Sequence, residues 1–314
     1  MTRPISSLSI VIPVYNGAQT LPALLSQIND AVNRLHLLYE VVLVNDGSSD
    51  SSWSVIQNLQ QQYPFIRGIN LMRNYGQHNA LLCGIRAAEN EVIVTMDDDL
   101  QHSPAYIPVL LDKLASGDEL VYGAPLEEQH GLFRDAASTI TKIALSSVMN
   151  AHSARHVSAF RAFYTDLREA FAKYTGPTVS LDVLLTWGTS KIGYVLVPHN
   201  KRAAGNSHYT FRKLVMHAMN LITGFTTIPL RIATAIGFTF LLFGILILLY
   251  VIIRFLIQGG VVPGFTFLAS IIIIFSGVQL FSLGIIGEYL ARMHFRLMDK
   301  PAYIIKKESN DSNS

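Results

Sequence analysis

Two long stretches without a charged residue, 232–253 and 258–287, limit what this 314-residue chain can become. At about 1.5 Å per residue, the first alone reaches across a hydrocarbon core of roughly 30 Å. These lengths favour two membrane spans over a helical hairpin buried in a soluble core. The link at 254–264 carries Gly259, Gly260 and Pro263 and is short and turn-like, so a hairpin is expected, with everything before and after it on one side. Neither stretch is N-terminal and no charged-then-apolar leader precedes them, so no signal peptide is expected. Arg202, Arg212, Lys213 and Arg231 precede the hairpin, and Arg292, Arg296, Lys300, Lys306 and Lys307 follow it, whereas the link holds only Arg254. Positive flanks stay cytoplasmic, which predicts a multi-pass protein with both termini and any active site on the cytoplasmic face. The lone Cys83 permits no intramolecular disulfide, in keeping with that compartment. A net charge of +2 is too small to point to nucleic acid.

Residues 1–205 are long enough for one globular domain with a sizeable core. Strand-length apolar runs at 8–14, 40–44, 66–72, 92–96 and 120–122 alternate with helical stretches at 21–35, 52–61, 79–88 and 104–114. The alternation predicts an α/β domain, a parallel sheet with helices on both faces. The remaining divisions expected are a juxtamembrane amphipathic segment at 206–230, the hairpin at 231–293 and a cytoplasmic tail at 294–314. Within the tail, 300–306 reads as a strand, and the polar end from Glu308 is expected to be disordered.

The run Met96-Asp97-Asp98-Asp99-Leu100-Gln101-His102 follows the fourth strand, at the carboxyl edge where open α/β sheets bind ligands. Three adjacent anions repel one another unless a positive group sits among them. A hard divalent cation, Mg²⁺ or Mn²⁺, is the natural partner, and it prefers to share its sphere with phosphate oxygens. On an extended segment Asp97 and Asp99 would point the same way and Asp98 away. Polar clusters also follow the other strands: Pro13-Val14-Tyr15-Asn16-Gly17, Asn45-Asp46-Gly47-Ser48-Ser49-Asp50 and Arg73-Asn74-Tyr75-Gly76-Gln77-His78. Asp46 can accept from a base or a ribose. Asp-Gly-Ser turns also cap helices without any function, but four clusters at one sheet edge argue for a shared site. No G-x-G-x-x-G, no G-x-x-x-x-G-K-[ST] and no G-x-S-x-G is present, which removes the dinucleotide, phosphate-loop and serine-hydrolase readings. His152 and His156 lack a second metal-spaced pair and are read as ordinary residues.

These four motifs resemble glycosyltransferase family 2. With the hairpin, and with Gly287-Glu288-Tyr289-Leu290-Ala291-Arg292 at its end, they resemble the polyisoprenyl-phosphate branch. The resemblance implies a GT-A, Rossmann-like domain, a nucleotide-sugar donor, Mg²⁺ or Mn²⁺, and a lipid-phosphate acceptor such as undecaprenyl phosphate at a bacterial inner membrane, for cell-envelope glycan modification. Residue by residue it implies that Pro13, Tyr15, Asn16, Asp46 and Arg73 bind the nucleotide sugar, with Asp97 and Asp98. Asp97, Asp99 and Gln101 match the metal triplet. Arg134 and Ser138 match an Arg-x-x-x-Ser pattern that meets the lipid phosphate, and Arg202 matches a basic loop over the diphosphate. Asp99 and Arg202 are therefore the expected catalytic residues. Relatives exchange the tail strand between subunits, which implies a homo-oligomer, a tetramer by resemblance.

Several residues depart from the pattern. Gly17 replaces a Glu, Asn45 the first Asp of Asp-Asp-Gly-Ser, and His208 a Lys; Ala124-Pro125-Leu126 lacks an Arg. Ala159, in Val157-Ser158-Ala159-Phe160-Arg161, stands where bactoprenol glucosyltransferases have a proposed base. A phosphate monoester is already mostly dianionic at pH 7, so loss of that base need not stop catalysis. Apolar stripes (Leu132, Phe133, Ala136, Ala137, Ile140, Ile143, Ala144, Val148, then Phe211, Leu214, Val215, Ala218, Leu221, Ile222, Phe225) with basic neighbours suggest interfacial helices that reach lipid headgroups. The expected reaction is inverting transfer of a sugar, UDP-linked, to undecaprenyl phosphate. A processive polysaccharide synthase is the alternative enzyme, but it would carry Gln-x-x-Arg-Trp and more membrane helices. A catalytically inactive scaffold or flippase accessory is the non-enzymatic alternative, and the intact acidic run argues against it.

Overall fold

The computed structural model describes residues 4–126, 155–176, 179–199, 226–258 and 265–308. The chain divides into two units, each described by itself. One holds the described residues up to 199 together with 299–308, and the other holds 226–298.

The first unit is an eight-stranded sheet whose strands lie in the spatial order Ile192–Val197 (β7), Leu120–Pro125 (β5), Arg161–Tyr164 (β6), Val92–Thr95 (β4), Ser7–Val14 (β1), Leu38–Asn45 (β2), Ile66–Leu71 (β3) and Ile305–Glu308 (β8). Strands β1 (Ser7–Val14), β2 (Leu38–Asn45), β3 (Ile66–Leu71) and β4 (Val92–Thr95) alternate with α1 (Leu21–Asn33), α2 (Ser52–Gln62) and α3 (Gln77–Ala87). A short 3₁₀ turn at Pro104–Tyr106 leads into α4 (Ile107–Ala115), followed by β5 (Leu120–Pro125). The expected elements are present with their ends moved by a few residues. Strands β1, β4 and β5 and the second half of β2 are buried on both faces, which is why they read as apolar runs, whereas β3 keeps Arg67 and Asn70 half-buried. Helix α1 buries Leu21, Leu24, Leu25, Ile28 and Val32, one face at helical spacing, and Pro22 occupies its first turn, where a missing N–H costs nothing.

Strand β1 is flanked by β2 on one side and β4 on the other, all parallel, so the chain order reverses at β1. The carboxyl ends of β1 and β4 then open a crevice, the ordinary ligand position in such a sheet.

The sheet is mixed and not purely parallel. β6 (Arg161–Tyr164) runs antiparallel between β4 and β5, and β8 (Ile305–Glu308) runs antiparallel on β3. The strand expected at 300–306 thus begins later, past Pro301, which has no N–H to give a ladder. Glu308 belongs to this strand and to no disordered end. A 3₁₀ segment at Thr165–Phe171, a short α5 (Leu181–Thr186) and β7 (Ile192–Val197) complete the unit.

The second unit contains α6 (Ile228–Gln258) and α7 (Phe265–Leu297). Both are long and apolar enough to cross a membrane. Phe240 and Phe275 meet edge to face with centroids 5.9 Å apart, and the Tyr289 hydroxyl donates to the Thr226 carbonyl at 2.6 Å. The expected interfacial stripes at 132–148 and 211–225 lie outside the described residues.

Candidate active site

A cavity of about 220 Å³ opens where the fold puts it, at the carboxyl ends of β1, β2 and β4. Pro13, Val14, Tyr15, Asp46, Asn74, Gly76, Gln77, Asp97, Asp98 and Asp99 line it. The four polar clusters of the sequence therefore converge on one space. Val14, Asn74, Gly76 and Gln77 had not been singled out, though each lies inside a cluster already recognised.

The walls are fixed by side chains that cross between loops. Asn16 has a left-handed backbone (φ 56°), and its Oδ1 accepts from the backbone N–H of Ser49 at 2.9 Å. That carbonyl is engaged in tying the β1–α1 loop to the β2–α2 turn. Both oxygens of Asp46 are likewise engaged, accepting from the N–H groups of Tyr75 (2.7 Å) and Gly76 (2.8 Å). Gly47, at φ +63°, packs against the backbone of Arg73 and Asn74, where a Cβ would collide. The Asn45 amide donates across the sheet to Asn70 at 2.8 Å, a structural place for the residue that replaces an Asp. The Arg73 guanidinium lies 4.8 Å from the centroid of the Tyr75 ring. Arg73, Asn16 and Gln101 are not among the lining residues.

The acidic run departs from expectation. Strand β4 stops at Thr95, so the three carboxylates lie past its end, Asp98 and Asp99 in a turn, and the alternation of an extended segment does not apply. All three line the cavity. Leu100 adopts φ 62°, an uncommon conformation for a residue with a Cβ, and the Gln101 N–H returns to Asp99 Oδ1 at 3.1 Å. Gln77 Nε2 donates to Asp97 Oδ1 at 2.6 Å. Asp98 Oδ2 is buried without a hydrogen-bond partner and points at Gly17, where a Cβ would collide with it. The glycine that departs from the family pattern thus makes room for Asp98.

Burial, then repulsion from Asp97, raises the Asp98 carboxyl to about 7, against 3.8 for an ordinary aspartate. A carboxyl raised on folding supports the fold fully below pH 3.8 and loses that support as pH rises toward 7. Asp98→Asn, neutral throughout, should therefore gain stability relative to the parent between pH 4 and pH 8 by roughly 2–4 kcal/mol in chelator-treated protein. Urea unfolding at both pH values checks this, and a pH-independent difference would rule it out.

Among the described residues, four carboxylates and no cation line the cavity, an arrangement that by itself repels a donor diphosphate. This donor set suits a hard divalent cation. Among the described residues, however, no three His, Cys, Asp or Glu side chains form a metal cage. The chain thus offers part of a coordination sphere, one that phosphate oxygens can complete.

Residue 159 sits next to this edge: the Thr95 hydroxyl donates to the Ala159 carbonyl at 2.8 Å. Two residues on, Arg161 is buried and paired with Asp182 at 2.6 Å, and the Tyr122 hydroxyl donates to the same carboxylate oxygen. His102 stacks on Phe160 and is held down near 4, by burial first and then by His199 and Arg161. His156 stacks on Tyr194, with centroids 3.6 Å apart. Arg134, Ser138 and Arg202 lie outside the described residues.

Residues 9–172 match the family described as glycosyl transferase family 2. The chain belongs to this family. The transferase is 32% identical over 313 residues to the undecaprenyl-phosphate 4-deoxy-4-formamido-L-arabinose transferase of Photorhabdus laumondii, covering 99% of this chain and 96% of that one. It is 34% identical over 314 residues to the protein of the same name from Pseudomonas savastanoi, covering 99% and 93%. Among solved structures it superposes on glucosyl-3-phosphoglycerate synthase from Mycobacterium tuberculosis, crystallised with Mn²⁺, UDP and phosphoglyceric acid. The TM-score is 0.53 at 18% identity, over 69% of this chain and 76% of that one. Mannosyl-3-phosphoglycerate synthase from Rubrobacter xylanophilus gives 0.51 at 16%, over 69% and 72%. At such identities the likeness shows the fold, GT-A. The transferase is thus a family 2 glycosyltransferase with two apolar helices suited to a membrane.

Proposed function

We propose that the transferase moves a sugar, with inversion, from a UDP-linked donor to undecaprenyl phosphate at the cytoplasmic face of a bacterial inner membrane. The observation that carries the reading is a cavity at the GT-A sheet edge whose walls are carboxylates, in a chain aligned over nearly its whole length with undecaprenyl-phosphate sugar transferases. Pro13, Tyr15 and Asp46 would face the nucleoside, with Asn16 and Arg73 bracing the loops behind it. Asp97 and Asp99, with Gln101, would hold Mg²⁺ or Mn²⁺. The cation would neutralise charge on the leaving diphosphate. Arg202 would add a bidentate partner to the same phosphates, and Arg134 with Ser138 would hold the lipid phosphate. A lipid phosphate oxygen forms the new bond to the anomeric carbon as the bond to the nucleotide diphosphate breaks on the opposite face, releasing UDP. A homo-oligomer, a tetramer by the resemblance, is part of the proposal.

The test is a panel of radiolabelled nucleotide sugars, UDP-4-deoxy-4-formamido-L-arabinose among them, presented to the purified chain with undecaprenyl phosphate and Mn²⁺. Label should pass to lipid from a UDP-linked member. Transfer from none would overturn the proposal and favour a scaffold.

Since a phosphate dianion needs no deprotonation, Ala159→Asp should leave the rate near pH 7 unchanged or lower it, by bringing a further carboxylate beside the acidic edge. A tenfold gain, about 1.4 kcal/mol of barrier, would show that a base is limiting.

A further inference from the structure

The stretch 73–76, without regular structure between β3 and α3, carries Asn74 and Gly76 in the cavity wall. From inside it is held by Asp46 through the Tyr75 and Gly76 N–H groups. From outside it is held by the end of the chain. The N–H of Met72, immediately before this loop, donates to the Ile304 carbonyl at 2.9 Å. Leu71 pairs with Ile305, Asn70 with Lys307 and Ile69 with Glu308. Arg67 Nε anchors the far end, donating to Glu308 at 2.9 Å. Tyr303 also meets α3, the helix that begins at Gln77: the Arg86 guanidinium lies 5.9 Å from the centroid of its ring. Ala302 is buried. Residues 302–308 therefore grip both the strand that enters the donor loop and the helix that leaves it.

We propose that residues 302–308 are a positioning element for the nucleotide donor, holding the 73–76 loop in its binding conformation. The proposal rests on the donor reading above. A loop with free flanks must be ordered when ligand binds, and fixing each backbone residue costs conformational entropy. A loop already clamped at both ends bears less of that cost at binding. The element should act on donor affinity, because among the described residues its contacts fall on β3 with the adjoining Met72 and on α3, which flank the loop.

The experiment compares three full-length or near-full-length proteins: the parent, Ile305→Pro, and a chain ending at Asp299. Calorimetry with UDP and Mn²⁺ should show Kd at least fivefold higher in both variants. The kcat at saturating donor and the KM for undecaprenyl phosphate should stay within threefold of the parent. A synthetic peptide of residues 300–308 should restore tight UDP binding to the shortened chain. A Kd less than fivefold higher in folded variants overturns the proposal, as does a fall in kcat with Kd unchanged, the pattern of simple destabilisation. Should both variants fail to fold, Tyr303→Ala, which keeps the strand pairing, carries the same test. A parent that does not bind UDP overturns the donor reading instead, and is recognised before any variant is measured.

Discussion

Asp99→Asn is expected to reduce sugar transfer at least a thousandfold while the protein remains folded and membrane-inserted. Asp99 is 9% exposed, and its Oδ1 accepts from the Gln101 N–H. An asparagine oxygen can accept the same bond, so the turn through Leu100 should survive. What the amide cannot replace is charge. A neutral amide is a poor ligand for a hard dication, and a cavity with three carboxylates left and a weakly held cation repels the donor diphosphate. A thousandfold is about 4 kcal/mol of transition-state stabilisation, within the range of a single charge-stabilising group in a low-dielectric site. The measurement is Mn²⁺-dependent transfer of label to undecaprenyl phosphate, with circular dichroism on the same preparation. Turnover within a few-fold of the parent would take Asp99 out of the metal assignment.

Much of this site was legible because its signals are local. Strands β1, β2, β4 and β5 carry apolar runs, and β1 to β4 are each followed within a few residues by a polar cluster that lines the cavity. What the sequence hid depends on contacts between distant residues. Strand β6 contains Arg161, a charge that interrupts the apolar signal, and only Asp182, twenty-one positions away, makes its burial tolerable. Strand β7 was legible in principle from Ile192, Val195 and Val197, but Gly193 breaks its run and its neighbours are half exposed. The turn of the acidic run was hidden for another reason. Thr95 ends β4 through its pairing with Arg161, so the alternation assumed for Asp97 to Asp99 failed for want of a partner strand. Roles drawn from the motifs need the same care. Asp46 lines the cavity while Asn16 and Arg73 do not, and the polar atoms of Asn16 and Asp46 bind neighbouring loops.

Those long-range contacts make the second large effect a matter of stability. Asp182→Ala is expected to destabilise the catalytic unit by roughly 3–5 kcal/mol, the usual consequence of removing one partner of a buried ion pair. Arg161 is 2% exposed and Asp182 6%, so solvent cannot take over the guanidinium. Arg161 Nε already lacks a hydrogen-bond partner, and the variant would also strand the Tyr122 hydroxyl. Replacing both partners removes the buried charge altogether, so Arg161→Met with Asp182→Leu should recover most of the loss. Trp187 sits at the C-terminal cap of α5, the helix that carries Asp182, and its fluorescence gives a local readout of urea unfolding in the full chain. The consequence reaches the site, because β6 holds residue 159 against the acidic edge through Thr95. If Asp182→Ala unfolds within 1 kcal/mol of the parent, or the double variant is as damaged as the single one, the buried pair is not what keeps β6 in place.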